Sequence, residues 1–196
     1  MKDAAATASS TSDFSVCTTW GLHDDLWHLL DVYRDRVEYR NLLKQALYLH
    51  GRWKPDKILV ERAASGFALL DDLRGPEHRL RSEVRAYIPK LTKPERFNAA
   101  AAQIENGKFS LPVEAPWLED FTRECLAFPN STHDDQADSM SQFIDWQKKS
   151  LSQASIHRQP PAVVSRRRPI GRLVDYSILY FENYRGTLLS KPNTLA

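Results

Sequence analysis

The stretch KILVE (57–61) followed by AASGFALLDDL (63–73) decides the fold. The first piece is a short apolar run, long enough for a buried strand and too short for a helix. It ends on a carboxylate, Glu61. The second piece places Ala64, Phe67, Ala68 and Leu70 at helical spacing and stops at Gly75-Pro76, so a helix over 63–73 is expected despite Gly66. A further strand is expected at 84–88, Val-Arg-Ala-Tyr-Ile. Strand, helix and strand in succession are the unit of an α/β layer architecture.

Upstream, DFSVCTTWGLH (13–23) and DLWHLLDVYRD (25–35) are rich in β-branched and aromatic residues and are separated by the short polar break His23-Asp24-Asp25. They read as a β-hairpin. Between hairpin and strand, EYRNLLKQALYLHG (38–51) sets Tyr39, Leu42, Leu43, Ala46 and Leu49 three and four apart, an amphipathic helix with Gly51 placed to end it. Downstream, Pro94 suits the first turn of a helix over 95–106, with Gly107 just past its end. Pro116 opens another, with Trp117, Leu118, Phe121 and Leu126 as its apolar side. The last helix is expected over 133–149, with Thr132 as its N-cap. A hairpin feeding a strand-helix-strand sheet implies antiparallel and parallel neighbours together. No internal repeat is visible, and the five tryptophans read as core or interface anchors before stacking platforms for bases.

The chain has 196 residues, 42% hydrophobic and 27% charged, with a mean hydropathy of −0.50. That is the composition of one globular domain, or one with an appendage, and excludes a disordered polymer, a collagen and a membrane span. No apolar segment follows the opening lysine, so no secretory signal is read and a cytoplasmic location is the default expectation. Cys17 and Cys125 lie far apart and read as reduced, buried thiols. From Lys148 onward nine Lys/Arg stand against Asp175 and Glu182, a net of +7; residues 1–147 hold 18 basic and 23 acidic residues, a net of −5. An acidic body therefore carries a basic, proline-containing tail. The division expected is 1–149 and 150–196, the second part partly disordered. Arg166, Arg167 and Arg168 suit a polyanion, since each can displace a phosphate counterion, but a solvated tail explains them equally well. Within the tail only LVDYSILYFENY (173–184) is apolar enough to dock on something.

Two acidic positions stand out on residue chemistry alone. Glu61 ends a buried strand, so its carboxylate emerges where open α/β sheets hold ligands; pairing with Arg62 or plain solvation would explain it too. In His133-Asp134-Asp135-Gln136-Ala137-Asp138, a helix would put Asp134 and Asp138 on one face, four apart, with Asp135 about a quarter turn away. Like charges at that spacing repel, and a bound cation would reverse the sign. Acids in a first helical turn also oppose the helix dipole, which accounts for Asp134 and Asp135 more readily than for Asp138. His133 is either a phosphate contact or an ordinary residue of the turn. Asp3, by composition, is a residue of a frayed terminus.

Taken in order, DAAATASSTSDFSVCTTWG (3–21), ILVERAASGFALLDDLR (58–74) and KFSLPVEAPWLEDFTRECLAFPNSTHDDQADSMSQ (108–142) resemble the C-terminal nuclease domain of tailed-phage terminase large subunits over roughly residues 3–147. The most specific pieces are V-E-x-x-A-S-G, P-W-L-x-D-F and F-P-N-x-x-H-D-D-x-x-D. The resemblance implies an RNase H-like mixed sheet flanked by helices. It also implies a site in which acids hold Mg²⁺ or Mn²⁺, two ions about 4 Å apart, and cut double-stranded DNA. Matched motif to motif, those acids are Asp3, Glu61 and Asp134, with Asp138 and Asp135 as contenders; His133 and Arg166–Arg168 are the expected DNA contacts. The family's first strand, central in its sheet, would precede Asp3, where only Met1 and Lys2 stand, so that strand is expected to be largely missing and the tail flexible. No G-x-x-x-x-G-K-[ST] motif occurs, so no ATP site is expected in this chain. The implied role is cleavage of concatemeric phage DNA in the host cytoplasm, with the portal protein and the small terminase subunit as partners. A non-catalytic prophage remnant retaining a DNA-binding or assembly surface is the alternative, and a junction resolvase a weaker third.

Overall fold

The computed structural model describes residues 14–62, 66–156 and 176–181. In chain order the elements are β1 (Ser15–His23), β2 (Leu26–Asp35), α1 (Tyr39–Trp53), β3 (Lys57–Glu61), α2 (Gly66–Arg74), β4 (Glu83–Tyr87), α3 (Lys93–Glu105), β5 (Phe109–Ser110), α4 (Leu118–Ala127), α5 (Asp135–Ile156) and β6 (Tyr176–Phe181). The six strands form one sheet in the order β4-β3-β6-β1-β2-β5. β1 is antiparallel to β2 and β6, whereas β3 is parallel to β4 and β6, and β2 is parallel to β5. The mixed sheet expected from the sequence is present, and its architecture is RNase H-like.

Alternation along the strands divides the core between two faces. On β3, Ile58 and Val60 point to one side and Leu59 to the other, as the two-residue period requires. The first side, with Cys17, is covered by Leu42, Ala46 and Leu49 of α1 and Leu69, Leu70 and Leu73 of α2. The second, with Trp20, Trp27 and Leu29, is covered by Ala100 of α3, Phe121 of α4 and Met140, Phe143 and Ile144 of α5. Trp20 stacks on Phe143 with ring centroids 4.6 Å apart, and Trp27 meets the same ring edge-on at 5.0 Å. These two tryptophans are core anchors. The pairing of β1 with β2 slips by one residue between Thr19 and Trp20, a bulge that leaves Leu30 as the extra residue.

Several boundaries differ from the sequence reading for local physical reasons. α1 runs past Gly51 to Trp53 and ends where Lys54 turns left-handed at φ 46°, its N–H bonded to the carbonyl of His50 at 2.8 Å. The indole of Trp53 donates to Asp31 at 3.2 Å, a tertiary bond that outweighs the weak stop signal of an exposed glycine. α5 begins at Asp135, and its first turn is closed by the N–H of Asp138 on the carbonyl of Asp134, so the cap position falls two residues after Thr132. The same helix continues through the expected boundary at 149 to Ile156. At α3 the reading is sharper in the structure: Thr92 and Glu95 form a reciprocal capping box with Pro94 in the first turn.

The centre of the sheet holds the largest departure. The resemblance implied a first strand ahead of Asp3 in that place, and residues 1–13 lie outside those described. The central position between β1 and β3 is occupied by β6, drawn from the apolar 173–184 stretch of the expected tail.

Candidate active site

β3 brings Glu61 to the carboxyl end of the sheet, and the N–H of Arg62 continues the ladder by donating to the carbonyl of Tyr87 at 2.7 Å. The turn after it is unusually close. A Cβ placed on Gly66 would lie 2.0 Å from the Glu61 carbonyl oxygen, so only glycine lets α2 start against the strand end. The glycine that weakens the helix pattern in the sequence is thus the one that seats Glu61.

The facing wall is the start of α5. Its sequence is small and polar, and Ser139 rests on β1 through a 3.0 Å hydroxyl contact with Thr18. This close approach buries Asp138, which is 3% exposed. Asp138 is held by the buried guanidinium of Arg96 from α3 and, at 3.4 Å, by the ammonium of Lys93, which also reaches Asp134 at 2.9 Å. Asp134 and Asp138 share Lys93, as the four-residue spacing foretells.

Glu61 faces this group. Burial pushes its carboxyl above the ordinary range and the charge of Asp138 pushes the same way, while the Gln142 amide, Arg96 and Lys93 pull back. Two carboxylates from distant elements thus feel one another across the site, and two cations of α3 offset part of the repulsion.

Asp135 belongs to a different neighbourhood. Its carboxyl is raised by burial first, then by the charges of Glu124 and Asp134, and Lys93 and Arg34 oppose the shift. Glu124 of α4 receives the N–H groups of Gln136 at 2.5 Å and Ala137 at 3.1 Å, so a carboxylate from another helix caps α5. His133 packs edge-on against Phe14 with ring centroids 5.0 Å apart, and the Arg34 guanidinium lies 3.8 Å from the centroid of the same Phe14 ring. Asp3 and Arg166–Arg168 lie outside the described residues. The structure therefore sets Glu61 against Asp138 and links Asp138 to Asp134 through Lys93, while Asp135 also feels Glu124 and Arg34 and His133 packs on Phe14.

Lys93, Arg96, Gln142 and Glu124 were not singled out from sequence. One signal was available for Arg96: it stands four residues before Ala100, on the stripe that α3 buries, where an arginine requires an anionic partner. Nothing comparable marks Lys93 or Gln142.

Among the described residues no group of three or more His, Cys, Asp or Glu forms a ready metal cage. The donor chemistry nonetheless fits a hard divalent cation. Mg²⁺ needs only one or two carboxylates and retains several waters, and Glu61 with an α5 carboxylate meets that requirement. Lys93, between Asp134 and Asp138, stands where positive charge is already favoured.

A mixed sheet covered by helices on both faces, with a strand-end carboxylate set against a carboxylate of the last long helix, defines an α/β domain of RNase H-like architecture. The chain belongs to the family of terminase RNase H-like domains, whose model matches residues 2–146. It is a nuclease-type domain of a terminase large subunit, a protein class that acts on DNA. Neither the curated proteins nor the solved structures contain a match to it. Among the described residues no helix is long and apolar enough to cross a membrane.

Proposed function

We propose that this domain is a divalent-metal-dependent endonuclease that cleaves concatemeric double-stranded phage DNA during packaging. The observation supporting this most directly is the opposition of Glu61, at the end of β3, to Asp138 of α5, with Asp134 joined to Asp138 through Lys93, in a site that burial makes unfavourable for free negative charge. Glu61 and Asp134 would hold the cation, Mg²⁺ or Mn²⁺ in one or two copies, with Asp3 and Asp138 as further ligands. When bound, the ion supplies charge to the scissile phosphate and lowers the pKa of a water. The protein's own residues do the rest. Arg96 holds Asp138 in one orientation, Gln142 does the same for Glu61, and Lys93 offers an ammonium that can turn from Asp134 to a phosphate oxygen. His133 and Arg34 flank the site on the Phe14 side, where a DNA backbone would need cations; Arg166–Arg168 would add more. In the family's setting the portal protein, the small terminase subunit and the host cytoplasm complete this reading.

The test is conversion of supercoiled plasmid to nicked and linear forms in Mg²⁺ or Mn²⁺, run beside Glu61→Ala and Asp134→Ala. The expected loss is about a hundredfold or more in either variant, the scale of removing a group that organises the transition state. Equal cutting by parent and variants would contradict the proposal, and no cutting by a folded parent would favour a non-catalytic remnant.

A further inference from the structure

The sheet consists of two parts that β6 joins. β5, β2 and β1 lie on one side of it and β3 and β4 on the other, and in the strand order β1 and β3 are separated by β6. Each neighbour spends most of its length on that strand: Cys17 to Leu22 pair with Phe181 to Tyr176, and Lys57 to Val60 with Ile178 to Phe181. The flanking residues are core. Cys17, Trp20, Ile58, Leu59 and Val60 are all buried, so the peptide groups that β6 satisfies on β1 and β3 could not be satisfied by water without opening the interior. Without β6, β1 and β3 would present two unpaired edges to one another, the arrangement that accepts a strand.

We propose that the gap between β1 and β3 is a strand-acceptor groove and that Tyr176–Phe181 of the same chain is its built-in occupant. The C-terminal strand is then an obligate member of the domain. Nineteen residues separate the end of α5 from the start of β6, a contour of about 60 Å, enough for the chain to fill its own groove. The consequence for the site is positional. Glu61 rides on β3, and α5 reaches both parts of the sheet, β1 through Ser139 and Thr18 and β4 through the Tyr87 hydroxyl, which donates to Asp145 at 2.5 Å; β6 fills the strand position between those supports. The proposal stands whether or not the domain cuts DNA, because it is read by pairing and not by activity.

The register supplies the experiment. Cys17 is paired with Phe181 across the antiparallel ladder, and directly opposed Cβ atoms lie about 4.5–5.5 Å apart, near disulfide range. In the full chain, Phe181→Cys is oxidised with copper phenanthroline and the products are mapped by mass spectrometry. The expected product is a monomer with a disulfide from Cys17 to the introduced thiol. Tyr180→Cys, one step out of register, serves as the control and is expected to stay reduced at that position. A companion pair, Leu179→Pro and Leu179→Val, is followed by hydrogen exchange. The proline is expected to lower amide protection at least a hundredfold on both Cys17–Trp20 and Ile58–Val60, and the valine to leave both protected. A disulfide-linked dimer would overturn the same-chain assignment. Failure of Phe181→Cys to crosslink while folded, or unchanged protection in Leu179→Pro, would overturn the groove itself.

Discussion

Glu61 is a carboxylate held where ionisation is resisted, and that has a consequence for stability as well as for chemistry. Its folded pKa lies above the ordinary value of 4.5, so the folded state binds the proton more tightly than the unfolded chain. Stability therefore falls as pH rises from about 4.5 through the raised value, and the loss is complete above it. Glu61→Gln has no proton to release. Without divalent ions at pH 7 it is expected to melt above the parent and to lose that part of the pH slope. Scanning calorimetry across pH 4–8 checks both; a lower melting point at pH 7 would contradict the reading. Lys93 gives a complementary expectation. Its ammonium already neutralises Asp134 and Asp138, so Lys93→Ala should tighten Mn²⁺ binding about threefold to tenfold, the size of one nearby charge screened by a water-like dielectric. Isothermal titration measures this, and weaker binding would mean that Lys93 supports the ion instead of competing with it.

At the scale of elements, the strand-turn-helix from β3 to α2 is the part most dependent on a single atom's absence. Gly66→Ala would drive a methyl into the Glu61 carbonyl oxygen, and relief requires α2 to withdraw from the sheet. Overpacking of this kind costs roughly 1–3 kcal/mol, so a drop in Tm of about 2–12 °C is expected; an unchanged melting point would show that the turn is looser than described. This turn also shows what the sequence could and could not convey. KILVE was legible because a short apolar run ending on an acid leaves few structures open to it, and the Asp134/Asp138 pairing was legible because a four-residue step on a helix has one geometry. Arg96 was not, because α3 reads as a surface helix until Asp138 is placed against it. The two-residue β5 was missed because such a bridge has no periodicity. Glu124 as the cap of α5 was missed because it comes from a different helix and leaves no local signature.

Over the whole molecule, pattern reading reached the mixed sheet and its helical cover and fell short at the centre. The strand there lies more than 110 residues from β3 along the chain, and no local rule connects KILVE with YSILYF. Apolar composition said only that 173–184 had to dock somewhere. The charge division between an acidic body and a basic C-terminal part does not separate body from appendage, because a strand of that part, Tyr176–Phe181, lies inside the sheet. The site lies where the end of β3 meets the start of α5, on the sheet face that α5 covers.

The measurement that bears most directly on the functional claim is an anomalous difference map from crystals of the full chain soaked in Mn²⁺. The account predicts a peak within about 2.0–2.3 Å of a Glu61 carboxylate oxygen and of an oxygen from Asp134 or Asp138. A well-occupied peak elsewhere, or none at saturating Mn²⁺ with these side chains ordered, would contradict it.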